Sequence, residues 1–204
     1  IVMYLDQQYP QPKLVPAGRE NEMMRLLKHE DSLHVDLRNL TMRYLIPADV
    51  VGKSSEVLAK YRKYGSGTVL GESDTRRPIE LDYWERFNAN GGVTDDEVRE
   101  SALRFREEFN ALEKMLLKQN FLFGDLISLL DVAWFVYVTR MKLVSYPVKK
   151  LHPRLDTWYM DLKKRAEFSE ETIVPKHLQD QLADRRVRDT SNGKSLIQLA
   201  GFHV

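Results

Sequence analysis

The residues with chemistry to offer fall in two clusters. His29, Glu30 and His34 combine two imidazoles and a carboxylate within one helical stretch. Two His five apart stand about 140° from one another on a helix, whereas a metalloprotease motif needs a spacing of four. No metal site is expected. Glu30, His34 and Arg38 do share one face at i and i+4, and a solvated, mutually paired stripe is the alternative to a binding role. Further along, Trp134, Tyr137 and Arg140 recur at steps of three and could set an aromatic wall and a cation beside a substrate; plain core packing, with Arg140 surfacing at the helix end, explains them as well. Ser128 and Asp131 resemble a hydrolase pair only superficially, because no His is placed near them and a capping box accounts for both. Tyr83, Trp84 and Phe87 read as a pocket cover or, more simply, as a satellite cluster under a loop. The basic run Arg185, Arg186 and Arg188 is offset by Asp180, Asp184 and Asp189 and reads as a solvated face.

The elements that must position these groups are helical throughout. Ile1 to Gln8 forms the end of a helix, and Pro10, Pro12 and Pro16 then impose a linker. Apolar residues from Met23 to Tyr44 recur at three or four, apart from a break at Glu30, and predict one long helix from Arg19 to about Leu45. A shorter helix is expected over Ser54 to Tyr64. The least regular region follows, with Gly65, Gly67, Gly71 and a short helix opened by Pro78; the whole excursion spans about 47–92.

Thr94 with Glu97 makes a capping box, and Val93 with Val98 a hydrophobic staple, opening a helix to about Gln119. Ser128 with Asp131, and Ile127 with Val132, repeat the pattern for a helix over Leu129 to Leu143, apolar on every side and so expected to be buried all round. His152-Pro153 starts a helix to about Arg165, with shorter ones over Ser169 to Ile173 and Lys176 to Arg188. The tail, 190–204, reads as irregular. No period-two alternation persists, so the fold class is all-α.

With 204 residues, 43% hydrophobic and 30% charged, the chain can bury a real core. A net charge of +1 provides no excess field for nucleic acid. There is no Cys, which excludes disulfides, Cys-ligated zinc and a thiol nucleophile within these residues. No apolar run reaches the roughly 20 residues of a transmembrane segment, and a cytoplasmic, reducing compartment is the default. Opening on Ile1 within an uncapped apolar pattern, the sequence is expected to continue upstream.

Three segments carry a family resemblance. The run from Ile1 to Pro10 looks like the last helix of the thioredoxin-like domain of glutathione transferases. Phe121 to Asp131 is similar to that family's Gly-Asp turn followed by a capping box, and His152 to Trp158, with the exit Arg165 to Phe168, resembles the next family helix. The long excursion resembles the branch holding hydroquinone dehalogenases, β-etherases and ganglioside-induced differentiation-associated proteins.

The resemblance implies a helical bundle of the glutathione transferase C-terminal type over 18–189, with 1–17 as the end of the thioredoxin-like domain and linker. It implies a homodimeric enzyme that conjugates, or reductively transforms, small hydrophobic electrophiles with glutathione as cosubstrate. The glutathione-binding and thiol-activating groups would belong to the upstream domain, leaving no catalytic residue in this chain. His34, Arg38, Tyr137 and Arg140 are the candidates for the substrate pocket. The alternative is a non-catalytic helical assembly module, since similar domains serve as docking units.

Overall fold

Side-chain caps decide where the two central helices begin. In the computed structural model, which describes residues 2–9, 11–64, 67–69 and 72–203, Thr94 Oγ1 accepts from Glu97 N at 3.2 Å while Glu97 Oε2 accepts from Thr94 N at 2.8 Å. Ile1, Pro10, Gly65 and Gly71, used in the sequence reading, lie outside the described residues. The order is α1 (Val2–Gln8), α2 (Glu20–Asp31), α3 (His34–Tyr44), α4 (Ala48–Val51), α5 (Ser55–Lys63), β1 (Thr68–Val69), β2 (Glu72–Ser73), α6 (Arg76–Ala89), α7 (Asp95–Leu116) and α8 (Leu129–Leu143). Then follow α9 (Val148–Leu151), α10 (Pro153–Lys163), α11 (Ala166–Ser169), a 3-10 turn (Glu170–Thr172), α12 (Lys176–Ser191) and α13 (Leu196–Ala200). The fold is all-α; β1 and β2 form one antiparallel hairpin of two residues per strand, too short to change the class.

The core sits between α7 and α8. Helix α7 packs on α3, α10 and α13, and α8 packs on α2, α3 and α9. Phe105 and Phe109 of α7, Leu130 and Met141 of α8, and Leu155 and Leu162 of α10 are fully buried, each contributing roughly 1.5–3 kcal/mol of apolar transfer.

Four expectations change. The single helix expected from Arg19 to Leu45 is broken at Ser32-Leu33, where Ser32 Oγ turns back onto His29 O at 2.6 Å and competes with the helical ladder. The excursion is more ordered than expected: beside α5, which is the helix expected over Ser54 to Tyr64, it holds α4, the β1–β2 pair and a 14-residue α6 that opens two residues before Pro78, which needs no amide partner in the first turn. The tail is ordered, because Ser195 and Gln198 form a third capping box and Leu196, Ala200 and Phe202 are buried. Lastly, α8 is not covered all round, since Val136 remains 47% exposed.

Helix C-termini share one device. Arg77 donates to the carbonyls of Arg62 and Tyr64 at the end of α5, at 2.9 and 2.7 Å, and also to that of Tyr61. Arg154 reaches Leu116 O of α7 at 3.1 Å, Arg186 reaches Leu143 O of α8 at 2.9 Å, and Arg99 reaches Leu199 O of α13 at 3.1 Å. Arg185 does the same for Arg43 O of α3. A cation against the last carbonyls satisfies orphan acceptors and opposes the negative end of the helix dipole. Arg185 and Arg186, read as part of a solvated face, are thus structural.

Candidate functional site

The site is built outward from the head of α8. Asp131 is fully buried: its Oδ2 accepts from Ser128 N at 2.9 Å and Ser128 Oγ at 2.7 Å, and its Oδ1 from Leu122 N at 2.8 Å and Trp158 Nε1 at 2.9 Å. One carboxylate therefore fixes the helix start, the preceding turn and α10. The linker is fastened to the same point, because Leu14 N donates to Asp6 at 2.6 Å while Leu14 O accepts from Leu129 N at 2.9 Å.

Beside this anchor runs an open groove of about 1050 Å³. Its walls are Pro12, Lys13 and Leu14 of the linker, Phe121, Leu126 and Ile127 of the turn, and one face of α8 from Val132 through Phe135, Val136, Thr139 and Arg140 to Leu143. Arg165, Glu167, Phe168, Thr172, Ile173 and Val174 complete it. Phe135 is held by stacking on Tyr159 at 4.9 Å and by the edge of Phe168 at 4.8 Å, so the bed is rigid. Leu126, Val136 and Ile173 are 81, 47 and 75% exposed, leaving apolar surface uncovered along its length. Thr139 is satisfied by Phe135 O at 2.8 Å, and Arg165 pairs with Glu167 at 2.7 Å. Lys13 and Arg140 are the cations of the lining for which no ion pair or hydrogen bond forms among the described residues.

Of the four pocket candidates, the groove gathers Arg140 alone. Arg38 Nη1 donates to Glu80 Oε2 at 2.7 Å and its Nη2 to His34 Nε2 at 2.9 Å, and its guanidinium lies 4.9 Å from the Tyr83 ring centre. The Arg38 hydrogen bond holds the Glu80 carboxyl below its usual range, while burial, and then the Arg38 charge, lower His34. Tyr137 is buried beside Phe105 and Trp134, and its hydroxyl is hydrogen-bonded to Glu30, whose carboxyl burial pushes upward. Burial raises the Tyr137 hydroxyl as well. These three join α2, α3, α6 and α8 rather than lining the groove.

The remaining motifs resolve simply. His29 pairs with Glu108 at 2.8 Å, and among the described residues no group of His, Cys, Asp and Glu is placed to hold a metal ion. Tyr83, Trp84 and Phe87 contact one another at 5.1 to 6.1 Å and pack into the core. Trp158 as the second anchor of Asp131 had no local sequence signal, since the two residues meet only when α10 docks on α8. Among the described residues no helix is long and apolar enough to cross a membrane.

No curated protein and no solved structure matches the chain. Residues 95–159, from the first turn of α7 to Tyr159 on α10, match the family model described as glutathione S-transferase, C-terminal domain, and the Ser128–Asp131 box and Trp158 both fall inside the match.

Proposed function

We propose that this chain is the substrate-side, all-α half of a glutathione-transferase-like enzyme and that its groove receives the hydrophobic electrophile. The observation that carries this reading is the groove itself, apolar along α8, anchored at the capping box and walled by the linker that follows α1. Phe135 and Phe168 would bed the electrophile, Ile127, Val132 and Val136 would exclude water from it, and Arg140 would meet a polar substituent. The match over 95–159 supports the assignment to this kind of domain.

Glutathione does not fit this lining. Its two carboxylates and two amides call for several convergent donors, and the groove offers the Arg140 guanidinium and, from the linker, the Lys13 ammonium beside apolar walls. Its recognition and thiol activation are therefore assigned to a thioredoxin-like half, and the residues here bind and orient the other substrate. The homodimeric, cytoplasmic enzyme implied by the resemblance belongs to the same proposal. His34, Arg38 and Tyr137 are reassigned to tying α2, α3, α6 and α8 to one another.

The test is glutathione turnover of a chloronitrobenzene by the parent protein beside this chain alone. Activity of the parent, with none in the isolated chain, supports the reading. A folded parent without turnover, or equal turnover by the chain alone, defeats it, and the first of these outcomes favours the assembly module.

A further inference from the structure

A second cavity, of about 240 Å³ and open to solvent, lies at the C-terminal end of α8, away from the capping box, and is walled by α12 and α13. Val144, Leu182, Leu196 and Ile197 give it an apolar interior. Its charged groups are Arg185, Arg186 and Asp189, two guanidiniums against a single carboxylate among the described lining residues. Arg185 keeps 23% of its side chain exposed, and its ion-pair partner Asp189 stands 3.9 Å away, too far for a hydrogen bond. Burial disfavours the Arg185 charge, the Asp189 carboxylate favours it in part, and Arg188 and Arg43 add repulsion. Each of the two arginines spends one N–H group on a helix carbonyl and has others to offer. Ser145, on the same lining, takes a left-handed φ of 66° because it ends α8, its amide on Lys142 O at 3.1 Å and that of Tyr146 on Met141 O at 2.9 Å.

We propose that this cavity binds a small carboxylate with an apolar body, an arylalkanoate or medium-chain alkanoate, its head group paired with Arg185 and Arg186. The apolar body lies against Val144, Leu182, Leu196 and Ile197, and the anion supplies the charge that Asp189 delivers only at a distance. Because none of the residues of α12 is buried, a ligand held between it and the core adds contacts this helix otherwise lacks. The inference does not depend on the groove or on glutathione.

Calorimetric titration of this chain with 4-phenylbutyrate and with its neutral amide decides the matter. The carboxylate is expected to bind at least about tenfold more tightly than the amide, as a charge-assisted pair replaces a neutral one. Arg185→Gln should erase that preference, with circular dichroism confirming the fold. Ile197→Trp, which leaves every charge in place and fills the cavity, should abolish binding of both, while Arg140→Gln should change neither. Equal affinity for acid and amide, no binding of either, retention in both cavity variants, or loss in Arg140→Gln would overturn the proposal.

Discussion

Trp158 donates its indole N–H to Asp131 Oδ1 at 2.9 Å, so the carboxylate that caps α8 is also the bolt between α8 and α10. Asp131→Ala removes the acceptor for Ser128 N, Ser128 Oγ, Leu122 N and Trp158 Nε1 together, and these donors are left in the interior. An exposed cap costs about 0.5–2 kcal/mol, and stranded buried donors add to that. The expected loss is about 3–5 kcal/mol, read as a lowered urea midpoint. Trp158→Phe alone should cost about 1 kcal/mol, and its effect should shrink in the Asp131→Ala background, as contacting residues do in a double-mutant cycle. An unchanged midpoint for Asp131→Ala would refute the anchoring role.

A pH response follows from His152. It is fully buried, its Nε2 lies 2.9 Å from the Tyr146 hydroxyl, its Nδ1 has no partner, and burial lowers it from 6.5 to about 4. As pH falls the unfolded chain takes up the proton near 6.5 while the folded chain resists until about 4. Stability is therefore unaffected by this group above the unfolded value and declines as pH drops through the window between the two, by up to about 3 kcal/mol. Denaturation at pH 7.5 and pH 4.5 should show a larger difference for the wild type than for His152→Phe; equal differences would remove His152 as the cause.

The C-terminal segment is integral. Phe202 is 5% exposed and meets Tyr146 edge-on at 5.4 Å, so Phe202→Ala should cost about 3 kcal/mol and deletion of 195–204 more. Thermal unfolding of the two variants checks this; a midpoint within a degree of wild type for the deletion would show that α13 contributes nothing.

The groove and the fold can be separated by Val136→Glu. The residue is 47% exposed in this chain, so its stability should shift by no more than about 0.5 kcal/mol. In the parent, a charge on the apolar wall should raise KM for a hydrophobic electrophile by about tenfold or more, since a partly desolvated carboxylate costs more than about 1.4 kcal/mol there. An unchanged KM would place the electrophile elsewhere.

Much of this was legible in the residues, and the gaps have physical causes. The boxes at Thr94–Glu97 and Ser128–Asp131 announce helix starts because capping is local, involving groups three residues apart. Ser195–Gln198 is the same signal, obscured by the polar run before it. The break at Ser32 was foreshadowed by Glu30 falling out of step, but the bond from Ser32 Oγ to His29 O is invisible in an apolar pattern. Composition made α8 look buried all round because an apolar side chain cannot tell whether something covers it, and Val136 is uncovered. Arg38 finds its partner, Glu80, 42 residues away on the helix that Pro78 announces, and the spacing along one helix carries no sign of that pairing.

The guanidinium groups at the ends of α3, α5, α7, α8 and α13 set where the molecule is chemically vulnerable. With no Cys in the sequence, thiol oxidants have no sulfhydryl to strike. Reagents that consume arginine do: a dicarbonyl adduct turns a planar, charged donor into a bulkier group with fewer N–H bonds to give, and each adduct would uncap a helix. Alkali, by contrast, leaves these caps intact, because arginine keeps its proton far above the range in which lysine surrenders it. Carbonyl stress is thus a condition that strikes this architecture at its helix ends.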